Sequence, residues 1–164
     1  MPQADGSVFK QRGSSLNGSR PTTCMKTEGR SRLIFGEDER VANWVKERLP
    51  NFIGWNGAYV AIGYELQGKL RGGVTFTQYC HPNIVIACAL EAPLTRRFLR
   101  GIFYYPFHQL EVRRVTALID AKNAKSRALV EHAGFTYEGT MAEAAPDDDV
   151  VIYGLLRRNC RWLG

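Results

Sequence analysis

Two short stretches of this chain gather the residue types needed to hold an anion and to move a proton. The first is Glu91-Ala-Pro93-Leu94-Thr95-Arg96-Arg97, with Arg100 one turn further on. It sets a carboxylate, a hydroxyl and several guanidinium groups around Pro93, a residue suited to opening a helix. The unbonded amides and the dipole of a helix start favour an anion, and arginines there add charge-assisted donors. A plain solvated helix face would carry the same arginines. The second stretch is Asn123-Ala-Lys-Ser126-Arg127, running on to Gly134. Asn123 can cap a helix through its side-chain oxygen and still keep amide donors for a ligand. Ser126 offers a hydroxyl, although an ordinary helix-surface serine reads the same way. Glu91 can accept a proton, or can simply be a helix-start acid. His81 falls in a turn, and His108 and His132 fall on helices where they need no functional explanation.

These groups need a scaffold, and the chain supplies one. Leu33-Ile-Phe35 is a short strand candidate. Glu37 to Leu49 places Val41, Trp44, Val45 and Leu49 on one helical face with acids in the first turn and Pro50 as a stop, making Trp44 an expected core anchor. Ala58 to Leu66 and Lys69 to Tyr79 read as strands joined at Gln67-Gly68, and His81-Pro82-Asn83 turns into an apolar strand, Ile84 to Leu90. Pro93 to about Leu110 reads as a helix, Arg114 to Asp120 as a strand, and Asn123 to Ala133 as a helix that Gly134 ends. Two terminal strands flank Asp147-Asp148-Asp149.

Composition sets the limits. The 164 residues suffice for one sizeable core and one domain. Residues 1–32 are rich in Gly, Ser, Thr, Pro and Arg without apolar periodicity, so they are expected to be a disordered basic tail ahead of a domain at 33–164. They hold six Lys/Arg against two acids, which leaves +2 of the +6 net charge for the rest. A nucleic-acid reader is not expected, because no dense basic face with interleaved aromatics shows in the sequence. The longest apolar run, Ile84 to Leu90, is too short to cross a bilayer. Cys24, Cys80, Cys88 and Cys160 lack paired metal spacing, and no metal site is expected. With no apolar signal core at Met1, the expected setting is a reduced cytoplasm, with Cys80 and Cys88 buried or half-buried in strands.

The block Asn123 to Phe135, with Tyr105 to Val115 before it, Glu138-Gly139 after it and Val150 to Arg157 as a final strand, resembles the GNAT superfamily of acetyl-CoA-dependent N-acetyltransferases, and most closely its ribosomal-protein N-terminal acetyltransferase-like branch. The likeness runs in order from about Leu33 to Trp162 and is most specific from Tyr105 to Gly139. It implies an α/β fold: a mostly antiparallel sheet of six to seven strands, parallel and splayed at strands four and five, with helices on both faces. It also implies acetyl-CoA as co-substrate, its pantetheine on the main chain of Ala87 to Leu90, so that Ala89 and Leu90 bind cofactor. Pyrophosphate would then lie at Thr95, Arg96 and Arg97, and Asn123, Ser126 and Arg127 beside the cofactor. Two family features are replaced. The Gln/Arg-x-x-Gly-x-Gly/Ala loop falls on Leu90-x-x-Pro93-x-Thr95, without glycine, and Val130 stands where a tyrosine often protonates the thiolate. The resemblance makes Ser126 the best candidate to replace that acid and leaves Glu91 as the candidate base.

The resemblance implies acetyl transfer to a primary amine, on a protein N-terminus, a lysine or a small molecule, by direct attack in a ternary complex. A non-catalytic CoA-binding or protein-interaction module is the alternative, and a basic-tail nucleic-acid binder ranks third. Trp44, Trp55, Tyr79, Tyr104 and Tyr105 are candidates to line an acceptor cleft, and equally to be ordinary core aromatics.

Overall fold

The computed structural model describes residues 31–49 and 57–164. The expected tail, apart from its last two residues, and the candidates Cys24, Pro50 and Trp55 therefore lie outside the described residues.

The first strand, β1, spans Ser31–Ile34, so it takes in Ser31 and Arg32 and leaves Phe35 outside it and exposed. Helix α1 spans Asp38–Lys46, with Val41, Ala42 and Val45 buried. It stops three residues short of the expected Leu49, because Arg48 and Leu49 donate back three residues and tighten the last turn. Trp44 is half-buried at the rim of that core, with the Arg48 guanidinium 3.9 Å from its ring centre; it covers the core edge and does not anchor it.

β2 (Val60–Leu66) and β3 (Lys69–Cys80) form the expected hairpin. Gln67 and Gly68 both take positive φ, 54° and 75°, the pair of conformations a two-residue hairpin loop demands. β4 (Asn83–Leu90) returns antiparallel to β3. Cys80, at the end of β3, is exposed; Cys88, within β4, is half-buried.

Helix α2 begins at Arg96 rather than Pro93 and runs to Tyr104, with Thr95 as its cap accepting from the Phe98 N–H at 3.2 Å. The expected single helix to Leu110 changes character at Tyr105–Gln109, where the backbone widens into a π-helical turn. Pro106 has no N–H to carry the regular ladder onward, and the Leu110 N–H reaches back five residues to the Tyr105 carbonyl. β5 (Arg114–Asp120) leads to helix α3 (Ala124–Ala133). Asn123 caps α3 through Oδ1, 3.0 Å from the Ser126 N–H, and Gly134 ends it at φ 102°. β6 (Thr136–Ala145) and β7 (Asp148–Leu156) close the chain's sheet.

The sheet has seven strands in the order β1-β2-β3-β4-β5-β7-β6, antiparallel except between β4 and β5. Alternation along the strands sorts the core to two faces. Ile62, Tyr64, Val74, Phe76, Ile84, Ile86, Val115, Tyr153 and Leu155 turn to the face that carries α2 and α3, where Phe98, Phe103, Phe107 and Val130 pack. Each fully buried ring contributes about 1.5–3 kcal/mol by leaving water. Ala61 and Ala89 turn to the other face and meet Val41, Ala42 and Val45 of α1. Close approach of α1 depends on glycine: a Cβ at Gly73 would lie 2.7 Å from Val45 and 2.9 Å from Val41.

Candidate functional site

The parallel ladder between β4 and β5 lasts only from Asn83↔Arg114 to Ile86↔Ala117. Beyond it β4 runs on to Leu90, still paired to β3 through Gly72↔Leu90, and β5 runs on to Asp120, still paired to β7 through Asp120↔Val150. Two intact half-sheets thus diverge from a short common hinge. The Glu91 N–H donates to the Arg71 carbonyl at 2.8 Å on the β3 side. Backbone polar groups alternate along a strand, so those of Ala87 and Ala89 also face β3, and those of Cys88 and Leu90 face the gap. The open edge therefore belongs to Cys88 and Leu90. Ala89, expected there, offers a buried methyl to the α1 side.

A cleft of about 1180 Å³ fills this gap and passes through the sheet. One wall is Cys88 to Leu94, the other Asn123, Lys125, Ser126 and Leu129 of α3, with Arg48 and Leu49 at the α1 side and Pro146 to Asp148 at the mouth. Asn123, Ser126, Leu90 and Glu91 thereby line one cleft. Lys125, Leu129 and His132 also line the cleft beside Ser126, at the helical spacing that the sequence from Asn123 to Gly134 carries. Arg127, one position on from Ser126, is turned out of the cleft. Its guanidinium donates to Tyr153 Oη at 3.3 Å and to the Ala121 carbonyl at 3.2 Å, and Tyr153 in turn donates to Glu131 at 2.7 Å. It ties α3 to β5 and β7.

Thr95, Arg96 and Arg97 stand beyond the cleft lining. Thr95 is spent on the α2 cap, and Arg97 reaches the Ser31 carbonyl at 3.4 Å. What this end offers an anion is main chain. The Arg96 and Arg97 amides have no acceptor among the described residues, while those of Phe98 and Leu99 are taken by Thr95. The corresponding amide at the α3 start is that of Lys125, because Ala124, Ser126 and Arg127 donate to Lys122 and Asn123.

Glu91 is held in a fork. Arg48 Nε donates to one carboxylate oxygen at 2.7 Å and Arg71 approaches the other at 3.4 Å. The Arg48 hydrogen bond, reinforced by Arg71, keeps this carboxyl below the usual glutamate range, which weakens it as a base. The Cys88 thiol is pushed up to about 12 by burial, so it lies beside the open edge as a neutral group and not as a nucleophile. The Ser126 hydroxyl is half-buried in the cleft wall and makes no hydrogen bond among the described residues. At the mouth, Lys122 donates its N–H to Asp148 at 2.8 Å and its ammonium to the Asp147 carbonyl, pinning the β5–α3 connection to the β6–β7 turn. None of Trp44, Tyr79, Tyr104 and Tyr105 lines this cleft. No group of three or more His, Cys, Asp or Glu suited to a metal occurs among the described residues, and no described helix is long and apolar enough to cross a membrane.

No family profile and no curated protein sequence matches the chain. Solved structures do. A crystal structure of a probable acetyltransferase aligns with a TM-score of 0.53 at 25% identity, over 61% of this chain and 63% of that one, so the chain spans less than two thirds of that protein. A mutant of the spermidine N-acetyltransferase SpeG from Vibrio cholerae aligns with a TM-score of 0.63 at 17% identity, over 82% of this chain and 96% of that one. Mycobacterium smegmatis RimJ, in complex with CoA-disulfide, aligns with a TM-score of 0.61 at 17% identity, over 78% and 82%. The chain has the fold of the GNAT N-acetyltransferases, with the seven-stranded sheet and the parallel, splayed β4 and β5 that the sequence implied.

Proposed function

We propose that this protein transfers an acetyl group from acetyl-CoA to a primary amine, on a protein N-terminus, a lysine or a small molecule. The observation that carries the proposal is the gap between β4 and β5, with the main-chain groups of Cys88 and Leu90 turned into it. A pantetheine arm has amides at strand-like spacing, and the open main-chain edge of β4 in a cleft is suited to binding it as an added strand. Asn123 Nδ2, the Lys125 ammonium and amide, and the α2 amides supply donors for the phosphates.

In this reading the amine nitrogen attacks the thioester carbonyl, the C–S bond breaks, and the sulfur takes one proton while the amine loses one. The chain's contribution is mainly placement and electrostatics. Ser126, which lines the cleft wall, gives the sulfur its proton in this reading. Glu91, paired to Arg48 and Arg71, orders the floor of the cleft, and the amine gives its proton to water. Free thiols at Cys80, Cys88 and Cys160 support a reduced, cytoplasmic setting for the reaction.

Continuous measurement of free thiol released from acetyl-CoA against a panel of N-terminal peptides, lysine peptides and small amines tests the proposal. Thiol release that depends on an amine supports it. Thermal stabilisation by CoA with no turnover on any amine assigns the chain to the non-catalytic CoA-binding reading, and absence of both removes the cofactor assignment.

A further inference from the structure

At the opposite end of β5 from the cleft lies a second concavity of about 740 Å³, lined by Pro82, His108, Arg113, Arg114, Leu156, Arg157, Arg158 and Leu163. Arg114, where the strand starts, and Asp120, where it ends, are about 20 Å apart at the usual rise per residue. The two sites are therefore separate.

Every charged residue lining this concavity is an arginine. Arg114 is committed, forking onto Glu138 and bonding Thr116. Arg113, Arg157 and Arg158 are exposed, and none of their side chains has a hydrogen bond or ion pair among the described residues. Their backbones are fixed: the Arg113 N–H donates to the Pro82 carbonyl, and the Arg157 N–H donates to the Arg113 carbonyl, both at 3.0 Å. Three unspent guanidinium forks on a rigid frame form an anion receptor. Pairs of arginines far apart in sequence meet here only because β5 and β7 pair through Arg114↔Leu156, so no basic run announces the site.

Beside the arginines lies an aromatic pair. His108 lines the concavity, and Tyr104, itself 54% exposed, stacks on it with ring centres 4.8 Å apart and planes inclined by 23°. Leu156, Leu163 and Pro82 supply the apolar floor. We propose that this concavity binds a nucleotide, its phosphate on Arg113, Arg157 and Arg158 and its base against the His108–Tyr104 stack. Guanidinium forks suit phosphate oxygens, and aromatic faces suit bases whatever their sequence. Residues 1–32 are net positive, so like charge disfavours the chain's own N-terminal stretch as occupant. The nucleotide is free or part of an RNA strand.

The test is fluorescence anisotropy on the full chain with two labelled probes, ADP and a single-stranded decaribonucleotide, with poly-glutamate as competitor. The comparison is the combined variant Arg113→Gln, Arg157→Gln, Arg158→Gln, which removes no side-chain hydrogen bond or ion pair among the described residues. At least one probe is expected to bind, with affinity falling at least about tenfold in the variant and falling as salt rises, while the melting temperature and the thermal shift by acetyl-CoA stay the same. Tighter binding of the oligonucleotide than of ADP identifies an RNA strand as the source, and equal or weaker binding identifies the free nucleotide. The proposal is overturned if neither probe binds, if ADP binds equally to the variant and so occupies the other cleft, or if poly-glutamate displaces the probe as well as unlabelled nucleotide does.

Discussion

Ser126 and Glu91 are both candidates for proton transfer in the sequence, and the structure separates them by what each side chain already touches. The Ser126 hydroxyl faces the cleft with no partner among the described residues, while the Glu91 carboxylate is shared between two arginines. Ser126→Ala is expected to lower turnover at least about tenfold while leaving acetyl-CoA affinity nearly unchanged, since a proton given as the C–S bond breaks acts on the transition state. Full turnover in this variant, with a measured amine, would mean that solvent protonates the sulfur. Glu91→Gln is expected to cost less than about tenfold in turnover, below the usual range for losing a general base. A loss of about a hundredfold or more, with a bell-shaped pH profile that loses its acidic limb, would restore Glu91 as the base. Arg127 shows why single residues mislead in a sequence: helical geometry turns it about 100° from Ser126, and only the partner Tyr153, remote in the chain, reveals which way that is.

The elements were more legible than the residues they carry. Strand alternation, the Gln67-Gly68 hairpin, the Asn123 cap and the Gly134 stop all rest on local stereochemistry, and each appears at or within a few residues of its expected place. Pro93 and Thr95 both suit a helix entry in the sequence, and the hydrogen bond from Phe98 to the Thr95 hydroxyl decides for the latter. The π-helical turn at Tyr105–Gln109 was not legible, since Pro106 signals a disturbance without saying which way the chain will absorb it. Sequence periodicity also says nothing of how close α1 comes to the sheet. Gly73 shows that distance, and Gly73→Ala should force Val41 and Val45 outward, costing about 1–3 kcal/mol by overpacking. Chemical denaturation with an unchanged m-value and a lowered midpoint would register it; an unaltered midpoint would show that α1 gives way freely.

Across the whole molecule, ion pairs pin the sheet and its connections at separated points. Glu65, nearly buried on β2, is bridged by Arg40 and Arg32; Glu138 on β6 is forked by Arg114; Asp148 accepts the Lys122 and Asp149 amides. Each of these carboxyls is held below its ordinary pKa: Glu65 chiefly by the Arg40 hydrogen bond, Glu138 by Arg114, and Asp148 by the Lys122 amide. A group whose folded pKa is depressed contributes stability above its unfolded pKa and loses it as pH falls toward the folded value. The melting temperature should therefore be level near neutrality and decline as pH drops through and below 4.5, the ordinary glutamate value. Glu65→Gln should lower the neutral plateau and flatten that decline; a slope unchanged by the substitution would show that other groups set it. The diverging half-sheets have a dynamic corollary. Two blocks of sheet joined by four paired residues on each of β4 and β5 are a compliant joint, and whatever seats on the free edge of β4 serves as a missing strand. Amide hydrogens of Cys88 and Leu90 should exchange with deuterated solvent quickly in the free protein and slowly once acetyl-CoA is present, while their neighbours Ala87 and Ala89, bonded to β3, exchange slowly throughout. The ligand, in that event, is a temporary part of the fold.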